Sequence, residues 1–257
     1  MGDSTSDFIA HCREIGVGPM TLVTPKLMPP GGLEEAQRAL AAGGPRAHVV
    51  NHPFATFPNL EGDADTTRAK LNEAIDIAAT LGAPFIYLVT GGRGGLLWEL
   101  AAQRFCEMIA PCVDYSRDRN VQLLVEPASD FNVDIHICHT LDDTVRLAEM
   151  AGIGVCLELH ATWFEGALKE KFARAVPLSG LVQVSDYVLG DRTAPCRAVV
   201  GDGVIPLEHL LGMILDLGYQ GVFDLELLGP RIEQEGNRAA TKRAAENLSE
   251  LLTKLGA

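Results

Sequence analysis

Seven short apolar runs alternate with amphipathic segments along nearly the whole of this 257-residue chain, and that alternation leaves few folds open. The strand-like runs are Val17–Thr24, Ala47–His52, Phe85–Thr90, Gln122–Glu126, Gly154–His160, Leu181–Asp186 and Val222–Leu227. Helical patterns fall between and after them, at Gly32–Ala42, Thr66–Leu81, Leu96–Asp118, Leu141–Ala151, Glu165–Ala175, Pro206–Leu217 and Arg238–Leu255. Strand-then-helix repetition with short connections predicts parallel βα units. The strands are apolar on both faces, as a sheet covered by helices requires. No Pro/Gly/Ser-rich linker divides the sequence, so residues 1–257 are expected to form a single (β/α) barrel domain. A helix-like segment, Ser4–Ile15, stands where an eight-fold barrel first needs a strand. The expectation is therefore a TIM-type (β/α) barrel that either lacks its first strand or fills that position with something the pattern hides; in the first case the open edges favour a homo-oligomer.

Composition narrows the partners. The net charge is −13, from 34 acidic and 21 basic residues. With no basic excess to hold phosphates, neither nucleic acid nor an anionic membrane is an expected partner. No apolar run reaches the roughly 18 residues of a membrane span. The opening Met1-Gly-Asp-Ser-Thr-Ser carries neither the basic nor the apolar region of a secretory signal, which predicts a cytoplasmic location. None of the six cysteines forms a CxxC pair, so they read as reduced, small apolar residues.

Four of the strand-like runs end on, or carry near their ends, a side chain able to ligate a hard metal: Glu126, Glu158, Gln183 and Glu226. Charge at the end of a hydrophobic strand costs several kcal/mol unless it is paired or coordinated. The spacings fit successive strand–helix units, with one long loop, Tyr187 to Ile205, before the last. Neighbouring barrel strands lie side by side, so four such donors can converge, and parallel barrels put their chemistry at the strands' carboxyl ends. An oxygen-rich set selects a divalent ion such as Mg²⁺ or Mn²⁺. The competing explanation is that some of these glutamates simply pair with an arginine such as Arg93 or Arg197.

The chain resembles the sugar phosphate isomerase/epimerase family, the xylose-isomerase-like barrels. The resemblance spans roughly residues 10–250 and is carried by Leu124-Val-Glu126-Pro127, Val155-Cys-Leu-Glu158, Val182-Gln183-Val-Ser-Asp186, Arg197-Ala-Val-Val-Gly201-Asp202-Gly203 and Asp224-Leu-Glu226-Leu. It implies a divalent ion held by Glu126, Glu158, Gln183 and Glu226, where the usual set is Glu, Asp, His and Glu. Gln183 in place of His trades an imidazole nitrogen for an amide oxygen, which favours Mg²⁺ or Mn²⁺. The resemblance also implies an acid–base pair, Glu126 and Glu226, that moves a proton beside a carbonyl while the metal stabilises the enediolate. The implied substrate is a small sugar, keto-sugar or polyol. A second reading is a lyase of the 3-dehydroshikimate or inosose dehydratase type acting on a keto-polyol or cyclic keto-acid, which Gln183 favours. A third is a degenerate, non-catalytic barrel.

Further residues stand where a substrate could meet them. His52 closes one strand and is a candidate substrate contact or a structural residue. The family often carries a His three residues after its second ligand, where this chain has Ala161; His160 lies one residue earlier, and a one-residue shift on a strand turns a side chain to the opposite face unless the strand has already ended. Arg197 in the long loop can bind substrate oxygens with its fork, and Trp163 with Phe164 can form an apolar wall. His139 is expected to begin a helix before Thr140. Gly91-Gly-Arg-Gly-Gly95 lacks the spacing of a phosphate-binding loop.

Overall fold

A computed structural model describes residues 4–54 and 64–257; the first three residues of the opening stretch expected to carry no secretory signal lie outside it. The elements in order are α1 (Thr5–Glu14), β1 (Pro19–Val23), α2 (Thr24–Leu27), α3 (Gly32–Ala41), β2 (Arg46–Pro53), α4 (Ala64–Leu81), β3 (Phe85–Val89), α5 (Trp98–Arg117) and β4 (Gln122–Val125). They continue with α6 (Leu141–Ala151), β5 (Gly154–Glu158), α7 (Leu159–Thr162), α8 (Leu168–Ala175), β6 (Ser179–Val184), α9 (Leu207–Asp216), β7 (Val222–Leu225), α10 (Pro230–Glu235) and α11 (Asn237–Leu255). The strands follow chain order in the sheet, β1 to β7, and the pairs in register are parallel. This is the TIM-type βα arrangement expected from the alternation, with seven strands among the described residues.

The chain divides into two compact units at Cys156–Leu157. The division falls inside β5, not in a linker, so composition gives no sign of it. In the first unit Val50, Ile86, Leu88, Leu123 and Val125 alternate onto one sheet face and are buried with Leu71, Ile75, Phe105, Met108 and Ile109 of α4 and α5. Burying one such side chain contributes roughly 1.5–3 kcal/mol. Helix α5 runs through Pro111, which has no N–H for the carbonyl one turn back. Arg68 of α4 donates instead to the carbonyls of Glu107 and Met108 there. Helix α6 begins where Thr140 Oγ1 accepts the Asp143 N–H and ends at Gly152 in the left-handed region, φ +66°.

In the second unit Leu181, Val182 and Val184 of β6 and Leu210, Leu211 and Ile214 of α9 are buried. Val199, Ile232, Ala240 and Ala244 form a further apolar cluster against Leu225 and Leu227. The short helices α2 and α7 follow directly on β1 and β5 and carry no apolar period long enough to read from sequence. At α2 the cause is Pro25, whose fixed φ suits the first helical turn. Among the described residues no helix is long and apolar enough to cross a membrane.

Candidate active site

In the second unit the site is built around one guanidinium. Glu158, the last residue of β5, is 1 % exposed and caps α7, its Oε1 accepting the His160 N–H at 2.8 Å and its Oε2 the Ala161 N–H at 2.6 Å. That fold-back ends the strand, so the face alternation expected to carry His160 away does not reach it. Arg197 Nη1 donates to Glu158 Oε1 at 2.7 Å and to Ser185 Oγ at 3.2 Å, and Nη2 forms an ion pair with Glu226 Oε2. Of the two arginines weighed from sequence, Arg197 is the one that pairs with these glutamates.

Two anchors carry Arg197 there. Its backbone N–H donates to Leu228 O at 3.0 Å, tying the loop to the segment after β7. Asp186, 2 % exposed, accepts four backbone N–H groups, from Tyr187 (2.8 Å), Gly201 (3.0 Å), Gly203 (2.9 Å) and Ile205 (3.0 Å). It also exchanges both backbone hydrogen bonds with Ala198. A side chain at Gly203 would collide with the Asp186 carboxylate, which explains glycine there.

Gln183 pairs in register with Asp224, so the two share a face, and alternation carries Ser185 and Glu226 onto it. Gln183 is fully buried. Beside Arg197 lies His160, its Nε2 3.9 Å from Cys196 Sγ and its ring edge-on to Tyr187 at 5.8 Å. Burial first, then the Arg197 charge, hold the His160 pKa below its ordinary value, so the ring is neutral at neutral pH. Trp163 stacks at a tilt on Tyr187, 6.3 Å between centroids, while Phe164 is 65 % exposed. Trp163 thus stands in the aromatic group next to His160, and the wall expected of both residues is carried by Trp163 and Tyr187.

In the first unit Glu126 lies one residue past β4, 7 % exposed, with His136 Nε2 3.3 Å from its Oε1. Burial pushes the His136 pKa down to about 4, which leaves a neutral imidazole against the carboxylate. The loop carrying His136 is held by Gly91 N–H to Ile135 O (2.8 Å), Ile137 N–H to Thr90 Oγ1 (3.0 Å) and Trp98 Nε1 to Ile137 O (2.9 Å). A side chain at Gly92 would collide with Asp134 O, so the glycine-rich segment serves close docking of this loop. His139 does not begin a helix; its ring nitrogens lie 3.0 Å from Ala128 O and 3.2 Å from His136 O, and Thr140 caps α6 instead.

His52 is buried with Nδ1 3.0 Å from Thr24 Oγ1. Its register partner is Leu88, which puts it on the face of Val50 and Leu88, opposite to Asn51, Tyr87 and Leu124. Those are the contacts of a structural histidine. Asn51 and Tyr87, not singled out by sequence, share the face that alternation from Leu124 extends to Glu126, and counting back by twos along each strand finds them. Burial depresses the His52 pKa from 6.5 to about 4. The unfolded chain then takes up this proton at higher pH than the folded one. Stability from neutral His52 is complete above its unfolded pKa and lost as pH falls toward the folded value, by on the order of 3 kcal/mol. Urea midpoints compared near neutral pH and at about pH 4.5 check this: His52→Gln is expected to lose less than the wild type, and an equal loss contradicts it.

Among the described residues no three His, Cys, Asp or Glu side chains are grouped as ready metal ligands. The donors of the second unit are nonetheless of the kind a hard cation takes, carboxylate oxygens from Glu158 and Glu226, which here share the Arg197 guanidinium.

A family model described as xylose isomerase-like TIM barrel matches residues 9–252. No curated protein matches. Among solved structures, a protein of Sinorhizobium meliloti 1021 superposes with a TM-score of 0.85 at 22 % identity, covering 97 % of this chain and 94 % of that one. The IolI protein, solved with a bound zinc atom, gives 0.83 at 14 % identity over 98 % and 94 %. D-psicose 3-epimerase of Clostridium cellulolyticum H10, solved with D-tagatose, gives 0.79 at 14 % over 98 % and 94 %. These likenesses show the fold.

Proposed function

This chain belongs to the xylose isomerase-like TIM barrel family, and from that premise we propose that it is a divalent-metal-dependent isomerase or epimerase of a sugar, keto-sugar or polyol. The observation that carries the reading is the convergence of Glu158 and Glu226, from the ends of β5 and β7, on a single cation. Glu126, Glu158, Gln183 and Glu226 would hold the metal, in line with the zinc of the IolI structure. When bound, a Mg²⁺ or Mn²⁺ ion polarises the substrate's carbonyl and hydroxyl oxygens.

The chain's own residues supply the rest. Glu226 takes the proton from the carbon beside the carbonyl, and Glu126 returns one from the other side. His136, neutral and 3.3 Å away, orients the Glu126 carboxylate. Arg197 and neutral His160 offer hydrogen bonds to substrate oxygens, and Trp163 with Tyr187 covers the apolar face of the carbon chain. His52, on the face of Val50 and Leu88 beside Thr24, is assigned a role in supporting the strand and no substrate contact.

The swap of the usual His for Gln183 favours a second reading, a dehydratase acting on a keto-polyol or cyclic keto-acid, which begins with the same proton removal. One experiment separates the two. Purified protein with Mn²⁺ is incubated in D₂O with candidate ketoses, and deuterium and products are read by NMR. The isomerase reading predicts deuterium beside the carbonyl with the carbon skeleton and oxygen count unchanged. Loss of water from the product favours the dehydratase, and no exchange with any candidate contradicts both.

A further inference from the structure

We propose that Arg197 serves as the counter-cation of Glu158 and Glu226 and that a divalent ion binds there by exchange with it. This rests on the ligand set proposed above and goes beyond it, because it assigns Arg197 a role before any substrate arrives. The lone pairs of Glu158 are the scarce resource here. Oε1 accepts from His160 N–H and Arg197 Nη1, and Oε2 accepts from Ala161 N–H. A carboxylate oxygen offers about two such sites, so Oε1 is full while Arg197 is in place. The other guanidinium nitrogen is engaged by Glu226, and Ser185 Oγ accepts from the first. One planar fork therefore spans both carboxylates, a geometry that guanidinium provides and an ammonium does not.

A dication seated between the same two carboxylates would face the guanidinium at a few ångströms, where like charges in a largely buried site repel strongly. Arg197 is 14 % exposed, Glu158 1 % and Glu226 19 %, so water screens little of that repulsion. The two positive groups exclude each other. The loop does not have to move for the exchange. Its anchors, Asp186 and Leu228, hold backbone, and only the flexible side chain of Arg197 reaches the glutamates. Once withdrawn, the guanidinium is available to a substrate oxygen, which couples metal loading to substrate recognition.

The test is calorimetric titration of Mn²⁺ into metal-stripped protein, for the wild type, Arg197→Gln and Arg197→Lys, with melting temperatures recorded with and without the ion. Removing an internal competitor is expected to tighten Mn²⁺ binding about ten-fold in Arg197→Gln. Without metal the same variant is expected to melt below the wild type, because two buried carboxylates lose their counter-charge, and to gain more on adding Mn²⁺. Arg197→Lys, with charge but no fork, is expected to fall between them. Equal or weaker Mn²⁺ binding by Arg197→Gln, with uptake by the wild type intact, overturns the exchange and leaves the metal site standing. Uptake by none of the three proteins overturns the exchange together with the metal reading.

Discussion

Replacing Glu226 by Gln is expected to slow α-proton exchange on a ketose substrate by about 10³-fold, the size of effect that general acid–base catalysis supplies. The substitution keeps shape and removes the basic oxygen. It also leaves Arg197 paired with Glu158 alone. Glu126→Gln is expected to produce a comparable loss, because the proton removed on one side has to be returned on the other. Deuterium incorporation followed by NMR at saturating Mn²⁺ measures both. Exchange retained in both variants would refute the roles assigned to these carboxylates. Ser185→Ala, which removes only one acceptor of Arg197, is expected to leave exchange within a few-fold of the wild type.

The second large effect is structural. Asp186→Ala removes the acceptor of four backbone N–H groups in a site that is 2 % exposed. Hydrogen bonds to a charged group contribute about 1.5–3 kcal/mol each, and orphaned buried donors add their own cost. Water reaches some of the freed donors, so the expected destabilisation is about 3–5 kcal/mol rather than the full sum. Asp186→Asn keeps one carbonyl oxygen and is expected to lose less. Because the loop from Asp186 to Ile205 also carries Arg197, the alanine variant should lose the ordering of Glu158 and Glu226 as well. Chemical denaturation of the two variants measures this, and a change under about 1 kcal/mol in Asp186→Ala contradicts the anchoring role.

Much of the architecture was legible in the sequence, since each of the seven strand-like runs became a strand in chain order. Period and length carry that signal, because a strand covered on both faces is apolar throughout and a helix is not. The ends were less legible. Val17–Thr24 shrank to Pro19–Val23, and Gly154–His160 stopped at Glu158, because a carboxylate folded back to cap a four-residue helix. Side-chain capping of this kind leaves no periodic trace.

The site was legible as a set of residue types and not as a set of contacts. Glu158, Gln183 and Glu226 could be picked out as polar groups on apolar strands, whereas the partner of the two glutamates sits 39 and 29 residues away from them in sequence. Arg197 was one of the arginines that could serve, and the anchoring of its loop on Leu228 and Asp186 is what brings it there. Asp186 was visible as the end of a strand, but its purpose depends on N–H groups at Gly201, Gly203 and Ile205 that no local pattern connects to it. His52 shows the converse. Its position at a strand end suggested a substrate contact, and the register places it on the face of Val50 and Leu88.

Everything proposed for the chemistry depends on one divalent ion taking the oxygens of Glu126, Glu158, Gln183 and Glu226. A crystal soaked in Mn²⁺ and measured at the manganese absorption edge tests that most directly. The account predicts a single anomalous peak about 2–2.4 Å from an oxygen of each of the four side chains, with the Arg197 guanidinium turned away from Glu158. A map with no peak there, and Arg197 still joined to Glu158 and Glu226, would contradict it.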